Sequence, residues 1–209
     1  AAEGNWDRRY YARAAGEAKP GDVVVAELGG SDGHNLFGDM GATGIQMRGA
    51  AGVIIDGGMR DYTGLRDERF ADFPVLHKFS DPHTTSWLGV EYNAPVRIGG
   101  VTVLPGDIVI GDDGGIFFFP ASLVERVLAY ADESVTREAF QLQLLEDKEY
   151  RFRDIYPLSP ELQAEFASYY SEQGDGSMLD IIEANRSVVE TNIALEAALS
   201  PSGAASPAL

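Results

Sequence analysis

A chain of 209 residues has room for one ordinary domain with an appendage, or for two small domains. Its 33 acidic residues against 16 basic ones give a formal charge of -17, a surface that repels nucleic acid and anionic membrane. The absence of cysteine excludes a disulfide framework, thiolate catalysis and a sulfur-built zinc site, and no apolar run approaches the ~20 residues of a membrane span. The opening residues carry basic side chains but no hydrophobic segment, so no secretory signal is expected and the composition reads as that of a soluble, cytoplasmic protein.

In chain order, the Ala-rich stretch through Lys19 predicts a helix that Pro20–Gly21–Asp22 ends. Val23–Leu28 is a short β-branched run bounded by turn residues, hence a strand, and Gly29–Gly33 is a loop. After Phe37–Gly38–Asp39 a helix is expected to about Ala50, although Gly41 and Gly44 each weaken it by about 1 kcal/mol against alanine. Gly52–Asp56 is the clearest buried strand, with Gly57 and Gly58 read as a turn after it. Strand, glycine loop, helix and strand in this order make a βαβ-like unit.

Short strands follow at Val75–His77, Val96–Ile98, Val101–Val103, Ile108–Ile110 and Ile116–Phe119. Gly99–Gly100 signals a hairpin, and Pro105–Asp107 and Asp112–Gly115 signal two further turns. Pro120–Ser122 opens a long helix toward Glu149, with Leu123, Val127, Tyr130 and Ala131 on one face. From Tyr150 the character changes. Pro157 and Pro160 punctuate a linker, and Ser159 is a candidate cap for a helix over Glu161–Tyr170. A last helix is expected over Leu179–Leu199, before a low-complexity tail. The pattern divides into an α/β domain over residues 1–150 and a helical extension over 151–209.

The chemistry-bearing segment runs from Phe37 to Asp61: FGDMGATGIQMRGAAGVIIDGGMRD. A Gly–Asp turn opens a helix, a buried strand follows, and Arg60–Asp61 stands beyond that strand's carboxyl end, where α/β folds gather ligands. Free N–H groups at a helix start can hold a carboxylate, and arginine can grip the same anion with two bonds. The adjacent aspartate offers a hard oxygen ligand suited to Mg²⁺ or Mn²⁺. Together these parts can bind a 2-oxo acid. Each part alone has an ordinary explanation: an Arg–Asp pair is usually a solvated turn, and a Gly–Asp pair a helix start.

Other candidates are weaker. His34, His77 and His83 match no ligand spacing; His77 reads as structural, while His34 and His83 lie in loops that can carry protons to a cleft. Asp112–Asp113 reads as a solvated turn, and Phe117–Phe119 as a buried strand. Asp32, Asp39 and Asp56 are further carboxylates near the central segment.

This segment resembles the diagnostic region of the RraA-like family, which includes 4-hydroxy-4-methyl-2-oxoglutarate aldolases and regulators of ribonuclease activity. The stretch NAPVRIGGVTVLPGDIVIGDDGGIFFFPASLVERV, from Asn93 to Val127, resembles the same family, so the likeness spans roughly Gly21 to Tyr130. It implies a three-layer β/β/α fold of the swivelling-domain type, assembled as a trimer or a dimer of trimers. It implies that Gly38, Asp39, Met40 and Gly41 hold a substrate carboxylate, mainly through backbone groups. Arg60 would bind the pyruvate-like portion, and Asp61 would be the direct protein ligand to a divalent metal ion. The implied activity is aldol cleavage of a short 2-oxo acid through a pyruvate enolate, with oxaloacetate decarboxylation as a neighbouring reaction. The alternative is a non-catalytic regulator that binds a protein partner. Two departures accompany the likeness. Family aldolases often carry an acid three positions after the metal aspartate, where this chain has Gly64, and members usually have more chain before the Gly–Asp loop. The expectation is therefore a domain without its usual amino-terminal part, followed by an extension that resembles that of longer members.

Overall fold

β-Branched runs set the framework of the amino-terminal half. A computed structural model of the chain describes residues 10–147 and 150–173. Helix α1 covers Tyr10–Glu17, strand β1 Val23–Glu27, helix α2 Asp39–Gln46, strand β2 Gly52–Met59 and strand β3 Val75–Ser80. The three strands form a parallel sheet in the order β1-β2-β3, and β2, the central strand, is buried along all eight of its residues.

Alternation along β1 and β2 divides the core between two faces. Val24, Ala26, Val53 and Ile55 pack with Phe37, Ala42 and Ile45 on the helical side. Val23, Val25 and Ile54 pack on the opposite side with Ile98, Val103, Val109, Ile116 and Phe118. Those partners come from two strand pairs, β4 (Val96–Ile98) with β5 (Val101–Val103), and β6 (Ile108–Asp112) with β7 (Gly115–Phe119). The layers are therefore strand pairs, parallel sheet and helices, an α/β architecture with its sheet in the middle. Full burial of side chains such as Val53, Ile54 and Ile55 stabilises such a core by roughly 1.5–3 kcal/mol each.

Several expectations are revised. Strand β2 continues through Gly57 and Gly58 to Met59 rather than turning after Asp56. These glycines serve close packing: a Cβ on Gly57 would stand 2.9 Å from the Leu28 side chain, and one on Gly58 2.5 Å from the Phe79 ring. Helix α2 stops at Gln46, short of Ala50, because the chain leaves it through Gly49 at φ +84°. The Gly99–Gly100 hairpin forms as expected, both glycines having positive φ, and Asp112 Oδ1 accepts from the N–H groups of Gly114 and Gly115 as a turn residue.

The chain divides into two compact units, Ala1–Phe118 and Phe119–Leu209, whereas the sequence changes character near Tyr150. The second unit is helical: α3 (Val124–Glu146), α4 (Phe152–Ile155) and α5 (Pro160–Gln173). Its core joins Phe140, Ile155, Leu158, Leu162 and Phe166. Ser159 caps α5 by accepting from Leu162 N at 3.3 Å, with Pro160 in the first helical position. The face expected of α3 is only partly right, because Leu123 and Tyr130 are exposed and Val124, Phe140 and Gln141 are the buried residues. The helix expected at Leu179–Leu199 and the tail lie outside the described residues. Among the described residues no helix is long and apolar enough to cross a membrane.

Candidate functional site

Because β1, β2 and β3 run parallel, their carboxyl ends open at one edge of the sheet, and three loops meet there. The first follows β1 and reaches α2, the second is Arg60–Asp61, and the third begins at Asp81. Backbone bonds fasten them together: Leu36 N donates to Gly58 O at 2.9 Å, Arg60 N to Phe37 O at 3.3 Å, and Asp81 N to Met59 O at 2.9 Å.

Arg60 and Asp61 meet Gly38 directly. A Cβ added to Gly38 would overlap a carboxylate oxygen of Asp61 and lie 2.9 Å from Cγ of Arg60. The backbone of Gly38 is extended, so glycine is required here by proximity and not by its φ. Gly41 has a similar reason: its Cβ would lie 2.5 Å from the Phe37 ring. Asp61 has φ +60°, the left-handed region that side chains other than glycine seldom adopt. Its carboxylate pairs with Arg60 Nε at 3.1 Å and remains about half exposed, at 45%.

Arg60 is the more enclosed of the pair. Its Nη1 donates to Asn35 Oδ1 at 2.9 Å. Asn35 is itself 1% exposed, and its Nδ2 donates to the carbonyls of Asp81 and His83 at 2.9 and 2.6 Å. Trp87 Nε1 closes the group by donating to Asn35 O at 2.7 Å.

Asp39 opens α2 and pairs with Arg69 Nη2 at 3.1 Å. Its carboxylate also fills the space at Gly64, where a Cβ would stand 2.7 Å from Asp39 Oδ2. Met40, expected to help hold a substrate carboxylate, has its side chain 74% exposed. The described N–H groups of Gly41 and Ala42 both donate to Gly38 O, which turns the chain into the helix.

The structure separates the remaining candidates. Asp56 points to the other face of the sheet, where it pairs with Lys78 and accepts from Gly99 N at 2.6 Å. The Lys78 bond first, and the Gly99 bond second, hold its carboxyl below the ordinary range. Asp32 is exposed in the first loop. His83 stands beside Asp81, with Nδ1 at 2.9 Å from Asp81 Oδ1. The N–H groups of His83 and then His34 keep the Asp81 carboxyl below its usual range. His77 lies on β3, edge-on to Tyr62, in a structural setting.

Asn35 and Arg69 are residues that sequence reasoning missed. Their partners are 25 and 30 positions away, and neither belongs to a local motif. The one available signal was an amide between a loop glycine and an apolar pair, in GHNLF. Among the described residues no group of three or more histidines and carboxylates could hold a metal ion as a closed cage.

The model of the RraA-like family, described as Aldolase/RraA, matches residues 2–118. A protein of Halalkalibacterium halodurans, provisionally named a 4-hydroxy-4-methyl-2-oxoglutarate aldolase, is 28% identical over 72% of this chain and 73% of its own. A protein of Ectopseudomonas mendocina with the same provisional name is 36% identical over 49% of this chain and 62% of its own. The crystal structure of Streptomyces coelicolor RraAS2, described as an unusual member of the RNase ES inhibitor RraA protein family, is 31% identical. It covers 63% of this chain and 66% of its own, with a TM-score of 0.57. The chain thus spans about two thirds of the length of these relatives.

Proposed function

This chain belongs to the RraA-like family, and from that premise we propose that it is a divalent-metal-dependent lyase that cleaves a short 2-oxo acid through a pyruvate enolate. The observation that carries the reading is the contact of Gly38 with both Arg60 and Asp61 at the carboxyl edge of the sheet. It puts a guanidinium, an exposed carboxylate and the first turn of α2 around one point. The provisional aldolase names of the relatives point to the same reaction class.

The donor set fits a magnesium or manganese ion better than a caged cation. Such ions keep several waters and accept one or two carboxylates, and Asp61 offers one that is still accessible. Asp61 would hold the ion, which when bound supplies positive charge to the 2-oxo oxygen of the substrate. Arg60 does the rest of the electrostatic work. Its Nε pairs with Asp61 and its Nη1 donates to Asn35, and among the described residues its guanidinium has no further partner. Its Nη2 is therefore open to the carboxylate next to the 2-oxo group.

For 4-hydroxy-4-methyl-2-oxoglutarate the step passes the proton of the 4-hydroxyl to water and breaks the C3–C4 bond. The bonding pair moves onto C3 and the 2-oxo group as an enolate, and the C4 fragment leaves as pyruvate. Protonation at C3 gives the second pyruvate. Arg60 offsets charge that grows on the three-carbon half as the bond breaks, and so acts most strongly in the transition state. Decarboxylation of oxaloacetate produces the same enolate, with carbon dioxide as the leaving fragment.

The regulator reading has one observation in its favour. Position 64, where an acid often stands in family aldolases, is closed by Asp39 and its pairing with Arg69. We favour the lyase, with Gly64 changing the preferred substrate. A homotrimer or a dimer of trimers is part of the same proposal, supported by exposed Met40 on α2, Met47 just after it and Phe117 on β7. The test is pyruvate release from 4-hydroxy-4-methyl-2-oxoglutarate and from oxaloacetate, with and without Mg²⁺ or Mn²⁺, for wild type and Asp61→Ala. Turnover that requires both ion and Asp61 is the expected result. An ion-independent rate, or none with either substrate, contradicts the reading.

A further inference from the structure

We propose that Asn35 is the positioning residue of this site, holding the Arg60 guanidinium for its anion and coupling it to the loop after β3. The proposal rests on the lyase reading for its catalytic consequence, but its structural half is independent of the reaction.

The amide has a single chemically sensible orientation. Its nitrogen faces two carbonyl oxygens, of Asp81 at 2.9 Å and His83 at 2.6 Å, which only a donor can satisfy. Its oxygen must then face Arg60 Nη1, which can only donate, at 2.9 Å. Main-chain bonds fix the residue as well: Asn35 N donates to His83 O at 3.0 Å, and Asn35 O accepts from Trp87 Nε1 at 2.7 Å. With 1% exposure, water cannot replace these partners without the fold opening.

A neutral acceptor suits this task better than a carboxylate. Arg60 already has one carboxylate at Nε, that of Asp61. A second at position 35 would neutralise the charge that the substrate must use, and it would turn a repelling oxygen toward the Asp81 and His83 carbonyls. Asn35 restrains the guanidinium without cancelling it. Because the same amide fastens residues 81 and 83, order in that loop and order in Arg60 rise and fall together.

The test compares wild type, Asn35→Ala, Arg60→Ala and the double variant, with circular dichroism to establish folding. Two readouts are used. The first is the ¹⁵N–¹H spectrum of the Arg60 side chain, assigned by its loss in Arg60→Ala. Resolved Nη signals are expected in wild type, and averaged ones in Asn35→Ala. The second is kcat and KM for oxaloacetate with Mn²⁺. Asn35→Ala is expected to lower kcat/KM by about 10- to 100-fold, the range carried by a hydrogen bond to a charged group. In the Arg60→Ala background the same change is expected to cost less than about 2-fold, since the group being positioned is gone.

Unchanged Arg60 signals in Asn35→Ala overturn the positioning role, as does a loss that multiplies fully with that of Arg60→Ala. Averaged signals with an inactive wild type overturn the lyase reading while leaving the positioning role in place. Should Asn35→Ala not fold, Asn35→Ser takes its place, retaining a hydroxyl in the pocket while removing the fork that reaches both Arg60 and the two carbonyls.

Discussion

The unit that ends at Phe118 and the helical unit that follows solve different problems with different contacts. In the first, the site depends on chain segments far apart in sequence meeting at backbone distance: Gly38 against Arg60 and Asp61, and Asn35 against residues 60, 81 and 83. In the second, side chains make most of the core, with Phe140, Ile155, Leu162 and Phe166 packed between helices and the Phe140 and Phe166 rings 5.8 Å apart. The family match covers residues 2–118, so the likeness to the family and these backbone contacts lie in the same stretch. A site built on backbone proximity tolerates little change in shape, whereas a side-chain core tolerates substitution at a graded cost in stability.

The sharpest way to break this contrast is to damage each unit by one small change. Ile155→Ala, at 1% exposure, should destabilise the helical unit by about 2–5 kcal/mol, read in thermal or denaturant unfolding. At low temperature its kcat/KM should stay within about 2-fold of wild type, because the change removes no group of the candidate site. Gly38→Ala should do the opposite. The added methyl displaces the Asp61 carboxylate, and a shift of about 1 Å at such a site lowers turnover by roughly 100-fold. Steady-state kinetics with an unfolding curve separates the two effects.

Gly64→Asp sharpens the comparison within the first unit. Supplying the acid that the resemblance leads one to expect should not raise activity here, because its Cβ would press on Asp39 and its charge would repel it. Overpacking of this kind costs about 1–3 kcal/mol, and kcat with oxaloacetate and 4-hydroxy-4-methyl-2-oxoglutarate should fall or stay level. A gain in either rate would show that Asp39 yields its place readily.

The smallest effect concerns the far side of the sheet. Asp56 is held below its ordinary value of 3.8 in the folded chain, chiefly by Lys78, so the unfolded chain binds its proton first as pH falls. Its contribution is fully present above pH 3.8 and disappears as pH drops through the lower folded value. Asp56→Asn should therefore cost about 1 kcal/mol near neutrality and flatten the acid limb of a stability–pH curve. Lys78 is half exposed, which keeps the effect small.

The parts of the molecule legible in the sequence were those with local causes. Strands β4 and β5, their Gly99–Gly100 turn, and the Ser159 cap each follow from residues within a few positions. Strand β2 was recognised by its apolar run but cut short, because the reason for Gly57 and Gly58 lies in Leu28, just past β1, and Phe79 on β3. The site residues Gly38, Arg60 and Asp61 stood out through resemblance to a family. The bond between Arg60 and Asn35 did not, since no spacing rule relates two loops on either side of a helix and a strand. The buried face of α3 was misjudged for a similar reason, because helical spacing offers several stripes and packing chooses among them.

The central claim is that Gly38, Arg60 and Asp61 form one site for a metal ion and a 2-oxo acid. The most direct measurement is calorimetric titration of Mn²⁺ and oxalate, a stable mimic of the pyruvate enolate, into wild type, Asp61→Asn and Arg60→Ala. The account predicts that wild type binds each more tightly in the presence of the other. Asp61→Asn should lose the ion, and Arg60→Ala should keep the ion but bind oxalate at least about 10-fold more weakly. Equal binding of Mn²⁺ by wild type and Asp61→Asn, or oxalate binding indifferent to both ion and Arg60, would contradict it.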